Sequence, residues 1–244
     1  MKPQMIRQLD ISIKNDIKSV YQIGSLRHSN MSVKKNYHHK NLKEVILQET
    51  ILYIEENGFE EISLRKIALK AGVAHTAIYH HYRNKDDLLA IVASELVEKL
   101  LIGVKNSNEK YPDEPYRQLF NYGNMYIDFA CKNKNLFKLM FGKHNLDIMK
   151  YERLRETSAD ALKYLISLIE QCQNKRVIKK GPALQIAMSI WSITHGYATL
   201  IVDNRVHTLS DYGFKMDFSV ENLTEFIFEV LKNGLLIETK KFFI

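Results

Sequence analysis

The chain has 244 residues, of which 45% are hydrophobic and 26% charged, with only 10 Gly and 4 Pro. That length suits one large domain or two small ones, and so little Gly and Pro excludes a disordered chain and a loop-rich all-β fold. The net charge is +7, a mild pointer to an anionic partner, and its distribution says more than its total.

Residues 1–40 carry +6: Lys2, Arg7, Lys14, Lys18, Arg27, Lys34, Lys35 and Lys40 against Asp10 and Asp16. Residues 63–85 carry +5 and contain no acid, so the remainder is −4. The first thirty residues have charges throughout and no apolar stretch, which argues against a secretory signal. Residues 1–36 read as a basic N-terminal extension, mobile or weakly helical, and Met31 offers a second start position.

A strong helical pattern begins at Asn41, with Leu42, Val45, Ile46, Ile51 and Ile54 recurring on one side. Asn57-Gly58 stops it, Gly58 taking the left-handed position after the last turn. Ser63 is the N-cap of a second, short helix reaching Ala71; its third position is Lys66, so no capping box forms. Gly72 ends that helix, and a third runs from His75 to Tyr82. Two short helices about a glycine turn, after a longer one, form the pattern of a helix-turn-helix. Ala68 is small enough for the helices to approach, Gly72 supplies a positive φ, and Ile67, Val73 and Ile78 close a small core. Asp86 and Asp87 open a long fourth helix, where acids suit the dipole.

Beyond a break at 107–115 the chain reads as helices at 115–132, 134–142, 146–173, 182–204 and 219–237, with no hairpin signal. The expected fold is all-α, with a helix-turn-helix head at 37–85 and a larger helical domain at 86–244. Gly181 to Val202 is free of charge, yet Gln185, Ser189, Ser192, Thr194 and His195 make it a helix buried by protein rather than a membrane span. Met125, Tyr126, Phe129, Phe137, Met140, Phe141, Trp191 and Tyr197 form an aromatic and methionine stripe that is either core or pocket lining.

Cys131 and Cys172 give no zinc, redox or disulfide pattern, which fits a reducing, cytoplasmic setting. His75, His80 and His81 lie five and six apart, not the four that puts two ligands on one helical face. His195, on an apolar helix, reads as a satisfied core histidine; Tyr197 and Asp203 are near it, but no nucleophile or phosphate loop accompanies them. No catalytic residue, metal or cofactor is expected, and the chain is not read as an enzyme.

The run Gly58-Phe59, Ile62 to Ala68, and Ala71 to Leu89 resembles the TetR family of bacterial transcriptional regulators over about fifty residues, 40 to 90. Trp191-Ser-Ile-Thr-His195-Gly196 is similar to the Trp-His-Gly signature of one C-terminal domain type in that family. The resemblance implies an all-helical homodimer whose heads bind a pseudo-palindromic DNA operator and whose C-terminal domain holds a small apolar effector. It implies that Ser63 and Arg65 meet phosphate, that His75, Thr76 and Ala77 face base edges, and that Tyr79, His81 and Lys85 hold phosphates, with His80 on the same helix. Tyr79 has a core aromatic as its rival reading, and His80 plain surface exposure. Ala74 and Ala77 depart from the Ser or Thr frequent at those positions.

Met125, Phe129, Phe137, Met140, Phe141, Trp191 and His195 are the candidate effector contacts, and 182–204 with 219–237 the candidate dimer interface. The expected function is a ligand-responsive repressor; the alternative is an architectural or chromosome-organising DNA-binding protein of the same fold, without an effector.

Overall fold

The computed structural model describes residues 42–142, 146–213 and 230; the basic extension and almost all of 219–237 lie outside the described residues. The described residues form eight α-helices and no strand: α1 Leu42–Asn57, α2 Leu64–Lys70, α3 His75–Tyr79, α4 Lys85–Asn108, α5 Pro115–Lys132, α6 Lys134–Phe141, α7 Glu152–Asn174 and α8 Ala183–Val202. The all-α expectation holds.

The first three helices follow from local chemistry. Gly58 N–H donates to the Ile54 carbonyl at 2.9 Å with φ +79°, closing α1. Ser63 is extended (φ −141°), and its Oγ accepts from Lys66 N–H at 3.2 Å, capping α2. Gly72 has φ +66°, and the Val73 N–H reaches back to the Ala68 carbonyl at 3.0 Å. Ile46, Ile54, Ile67, Ala68 and Ile78 are buried where the three helices meet.

Helix α3 is shorter than its sequence pattern, ending at Tyr79 rather than Tyr82. Past it the backbone tightens: His80 N–H donates to the Ala77 carbonyl and His81 N–H to that of Ile78. This turn sends Tyr82 inward, where it is buried with its hydroxyl 3.5 Å from the Lys43 carbonyl. The chain then enters α4 through a reciprocal cap. Asn84 Oδ1 accepts from Asp87 N–H at 2.8 Å, while the Asp87 carboxylate accepts from Arg83 N–H at 3.1 Å and Arg83 Nε–H at 2.8 Å.

One core joins the head to the body. Ile46, Ile67, Ile78 and Leu88 belong to the same apolar cluster as Phe129, Leu136, Phe137, Ala198 and Val202, and Asn135 Nδ2 donates to the Glu55 carbonyl at 3.0 Å across α6 and α1. At the far end of α4 the buried amides of Asn108, Gln118 and Asn121 bond one another's segments. Asn121 Nδ2 donates to Asn108 Oδ1 at 2.8 Å, and Gln118 Nε2 to the Tyr111 carbonyl at 2.6 Å. These bonds hold α4 against α5.

Helix α7 starts at Glu152, later than the predicted 146, because Asp147 Oδ1 accepts from Met149 N–H at 3.1 Å and fixes a 3-10 turn over Ile148–Lys150. The charge-free stretch forms α8, which ends at Val202 before Asn204 takes φ +60°. No helix among the described residues is long and apolar enough to cross a membrane.

Candidate nucleic-acid interface and ligand cavity

Helix α3 faces outward over most of its surface. His75, Thr76, Tyr79, His80 and His81 are exposed, Ala77 is half-buried, and Ile78 alone points fully inward. The helix has no side-chain cap, since Ala74 has no oxygen to offer. Tyr79 is 50% exposed, so the core tyrosine here is Tyr82. The Tyr79 ring meets that of His75 edge-on, centroids 5.0 Å apart, which orders two exposed side chains one helical turn apart.

The cations around α3 differ in their freedom. Arg65 is exposed at the start of α2, beside the half-buried Ser63. Lys85 is half-buried; its ammonium donates to the Glu60 carbonyl at 2.6 Å, tying the start of α4 to the turn before α2. A lysine has three donors, so two remain for another acceptor. Lys66 donates to the Glu61 carbonyl at 2.9 Å, and Lys70 lies over the Tyr53 ring at 5.5 Å. Ser63, Arg65, Tyr79, His81 and Lys85 thus come from the cap and first turn of α2, the end of α3 with the turn that follows it, and the start of α4.

A cavity of about 400 Å³ lies in the body between α4, α5, α6, α7 and α8. Its inner wall is Ala93, Val97, Leu101 and Val104 of α4, with Tyr126 of α5 and Leu139 of α6. Ser158, Ala159, Ala161 and Leu162 of α7 form a half-buried outer wall. The space exists because alanines and a serine stand where α7 faces α4. Among the described residues that line it there is no Asp, Glu, Lys, Arg or His.

The two tyrosine hydroxyls at the cavity are already engaged. Tyr122 Oη–H donates to the Ala161 carbonyl at 3.3 Å, and the Tyr126 hydroxyl lies 2.8 Å from His195 Nδ1. Burial pushes the Tyr122 phenol up to about 12, helped by Tyr164 beside it. It raises that of Tyr126 further, against a smaller opposing pull from a Trp191 hydrogen bond. Burial likewise moves His195 below its ordinary 6.5. The imidazole stacks on Phe137 (5.6 Å, 29°) and meets Phe141 and Trp191 at 5.5 and 6.2 Å.

Of the seven candidate effector residues, Met140, Phe141 and Trp191 border the cavity, and His195 stands behind Tyr126. Met125, Phe129 and Phe137 do not line it; they are buried in the core between helices. Sequence reasoning missed the α4 wall and the small residues of α7. The Ser158-Ala159-Asp160-Ala161 run on an otherwise bulky amphipathic helix was the available signal. On the outer side of α8, Leu184, Met188, Ile193 and Leu200 are exposed, and the helix contains no Asp, Glu, Lys or Arg.

Residues 46–92 match the family of bacterial regulatory proteins of the tetR family, and residues 119–224 match the tetracyclin repressor-like C-terminal domain. The fatty acid metabolism regulator protein of Bacillus subtilis (strain 168) is 25% identical over 115 residues, 47% of this chain. The match spans only 54% of that protein's length. The nucleoid occlusion factor SlmA of Aliivibrio fischeri (strain MJ11) is 26% identical over 151 residues, covering 62% of this chain and 76% of SlmA. Among solved structures, a protein of unknown function from Rhodococcus sp. RHA1 has a TM-score of 0.68 at 23% identity, covering 83% of this chain and 99% of its own. The transcriptional regulator FadR from Bacillus subtilis, in complex with stearoyl-CoA, has a TM-score of 0.62 at 19% identity, covering 78% of this chain and 98% of its own. These two likenesses are of fold.

Proposed function

We propose that this TetR-family chain, with its regulatory helix-turn-helix at 46–92 and a tetracyclin repressor-like domain behind it, is a cytoplasmic homodimeric repressor whose hold on a pseudo-palindromic operator is released by a small apolar effector. The observation that carries this reading is the continuity of α4. One helix starts under the head at Lys85 and, from Ala93 to Val104, walls the cavity. A ligand that shifts α4 therefore shifts the head.

On DNA, the leading end of α3 enters the major groove with His75, Thr76 and Ala77 toward base edges. Ser63, Arg65, Tyr79, His81 and Lys85 hold phosphates on either side, and His80 is read as part of the same surface. The head is taken as 37–85, the effector and dimerisation domain as 86–244. The charge-free α8 and residues 219–237 pair the two subunits, and Trp191, His195 and Gly196 are read as the Trp-His-Gly signature of the C-terminal domain.

The cavity sets the effector's chemistry. A cavity of about 150 Å³ takes one benzene ring, so 400 Å³ holds roughly sixteen non-hydrogen atoms. With no charge among the described residues of the wall and both tyrosine hydroxyls engaged, a charged group against these residues would go unpaired. An alkyl or acyl chain, or a compact hydrocarbon of that size, fits; a phosphate-bearing head would stay outside.

The experiment is selection of bound duplexes from a random pool, followed by gel shifts across a salt series with and without long-chain lipids. Recovery of one two-fold motif, released by such a ligand, supports the reading; binding with no sequence preference overturns it. The kinship to a nucleoid occlusion factor favours a second reading, a chromosome-organising DNA-binding protein without an effector. That reading predicts many genomic sites and no release by lipid.

A further inference from the structure

We infer that the ligand cavity is completed by the second copy of the chain through Trp191, so that effector binding and dimerisation are coupled. This rests on the homodimer and effector readings above, and it adds that neither event is independent of the other.

Trp191 belongs to two surfaces at once. It lines the cavity, yet it is 37% exposed on the same helix that presents Met188, Ile193 and Leu200 outward. The cavity wall at α8 is therefore one side chain thick. On its inner side the indole meets the His195 ring, centroids 6.2 Å apart. On its outer side, in a single copy, it faces solvent.

The occupant that fits this face is another α8. A two-fold interface sets a patch against its own copy, so any net charge would repel itself. Helix α8 carries none over its 20 residues. At Gly196, one turn from Ser192, a side chain would meet nothing within 4 Å among the described residues, which leaves room on that side for a second backbone to approach. A copy seated there covers the indole and fixes the wall. By linkage, if dimerisation tightens each ligand by some factor, the two ligands of a saturated dimer tighten it by that factor squared.

Trp191 is the chain's only tryptophan, so its emission reports the wall directly. The probe is prodan, an uncharged naphthalene dye of suitable size that accepts energy from tryptophan. Sedimentation and prodan titration are run on the full chain and on the double variant Met188→Glu/Leu200→Glu, whose sites are exposed and outside the cavity lining; circular dichroism checks that the variant is folded. The expected result is a monomeric variant that binds prodan about tenfold or more weakly, and a wild-type dimer whose dissociation constant falls by about the square of that factor in saturating prodan, one factor for each of its two sites.

A folded monomeric variant with wild-type prodan affinity overturns the coupling and leaves both earlier readings standing. An unchanged dimer constant in saturating prodan overturns it equally, in the unmodified protein. A wild-type chain that is monomeric at all concentrations refutes the homodimer reading, and a dimer that binds no prodan refutes the effector reading; either takes the coupling with it.

Discussion

The hydroxyl of Tyr126 lies 2.8 Å from Nδ1 of His195, and burial holds that imidazole below its ordinary 6.5. In the neutral tautomer with the ring proton on Nε2, Tyr126 donates to Nδ1. Protonation makes both nitrogens donors, so the phenol loses its acceptor and a charge is placed among Phe137, Phe141 and Trp191. Below 6.5 the unfolded chain binds this proton before the folded one does, so stability falls as pH falls through that window. Thermal melts from about pH 7.5 to about pH 5.5 should show a smaller acid-induced drop for His195→Phe than for the natural chain. Equal drops would remove His195 from the account.

Ser63 serves as a cap through its acceptor lone pair, which leaves its hydroxyl proton for a phosphate. The two roles separate by substitution. Ser63→Ala should lose about 1 kcal/mol of stability, and Ser63→Gly only a few tenths. Both should weaken operator binding alike, because neither can donate to a phosphate. Urea denaturation gives the first quantity and a gel shift the second. If Ser63→Gly binds DNA as the natural chain does, Ser63 is a structural cap and nothing more.

Arg65 and Lys85 should fail in different ways. Arg65 is exposed, so Arg65→Ala should lower DNA affinity evenly across sequences, reduce the salt slope by about one, and leave stability within about 0.5 kcal/mol. Lys85 also holds the Glu60 carbonyl, so Lys85→Ala should cost both affinity and a measurable part of the head's stability. His75 and Thr76 substitutions should change which duplexes are selected. An unchanged salt slope in both cation variants would show that neither meets phosphate.

The head was legible because its signals are local. Gly58 and Gly72 stop helices by backbone conformation, Ser63 caps by its own side chain, and Ala68 is small wherever it is placed. The end of α3 was not, because Tyr82 continues the helical pattern while tertiary packing draws it under α1. The cavity was harder still. Periodicity marks Met125, Phe129 and Phe137 as inward-facing just as it marks Met140 and Phe141, and only the fold decides which of them meet a neighbour and which a void. That void is set by Ala93 on α4 and by Ser158, Ala159 and Ala161 on α7, residues whose importance lies in the volume they lack.

The same missing volume makes the effector site testable without touching its engaged polar groups. Ala159 lies on the half-buried outer wall, and Ala159→Phe would place a phenyl ring in the space a ligand needs. Burying that ring contributes roughly 1.5–3 kcal/mol, and the strain of overfilling costs about 1–3 kcal/mol, so net stability should change little. Operator affinity should also hold, since Ala159 sits on the outer wall and not on α4, the helix that reaches the head. Prodan binding should weaken by about tenfold or more, one to two kcal/mol at the usual conversion, and lipid should no longer release the operator. Retained release in this variant would place the effector elsewhere, while lost operator affinity would mean that filling the cavity itself moves α4 and that the phenyl ring mimics the effector.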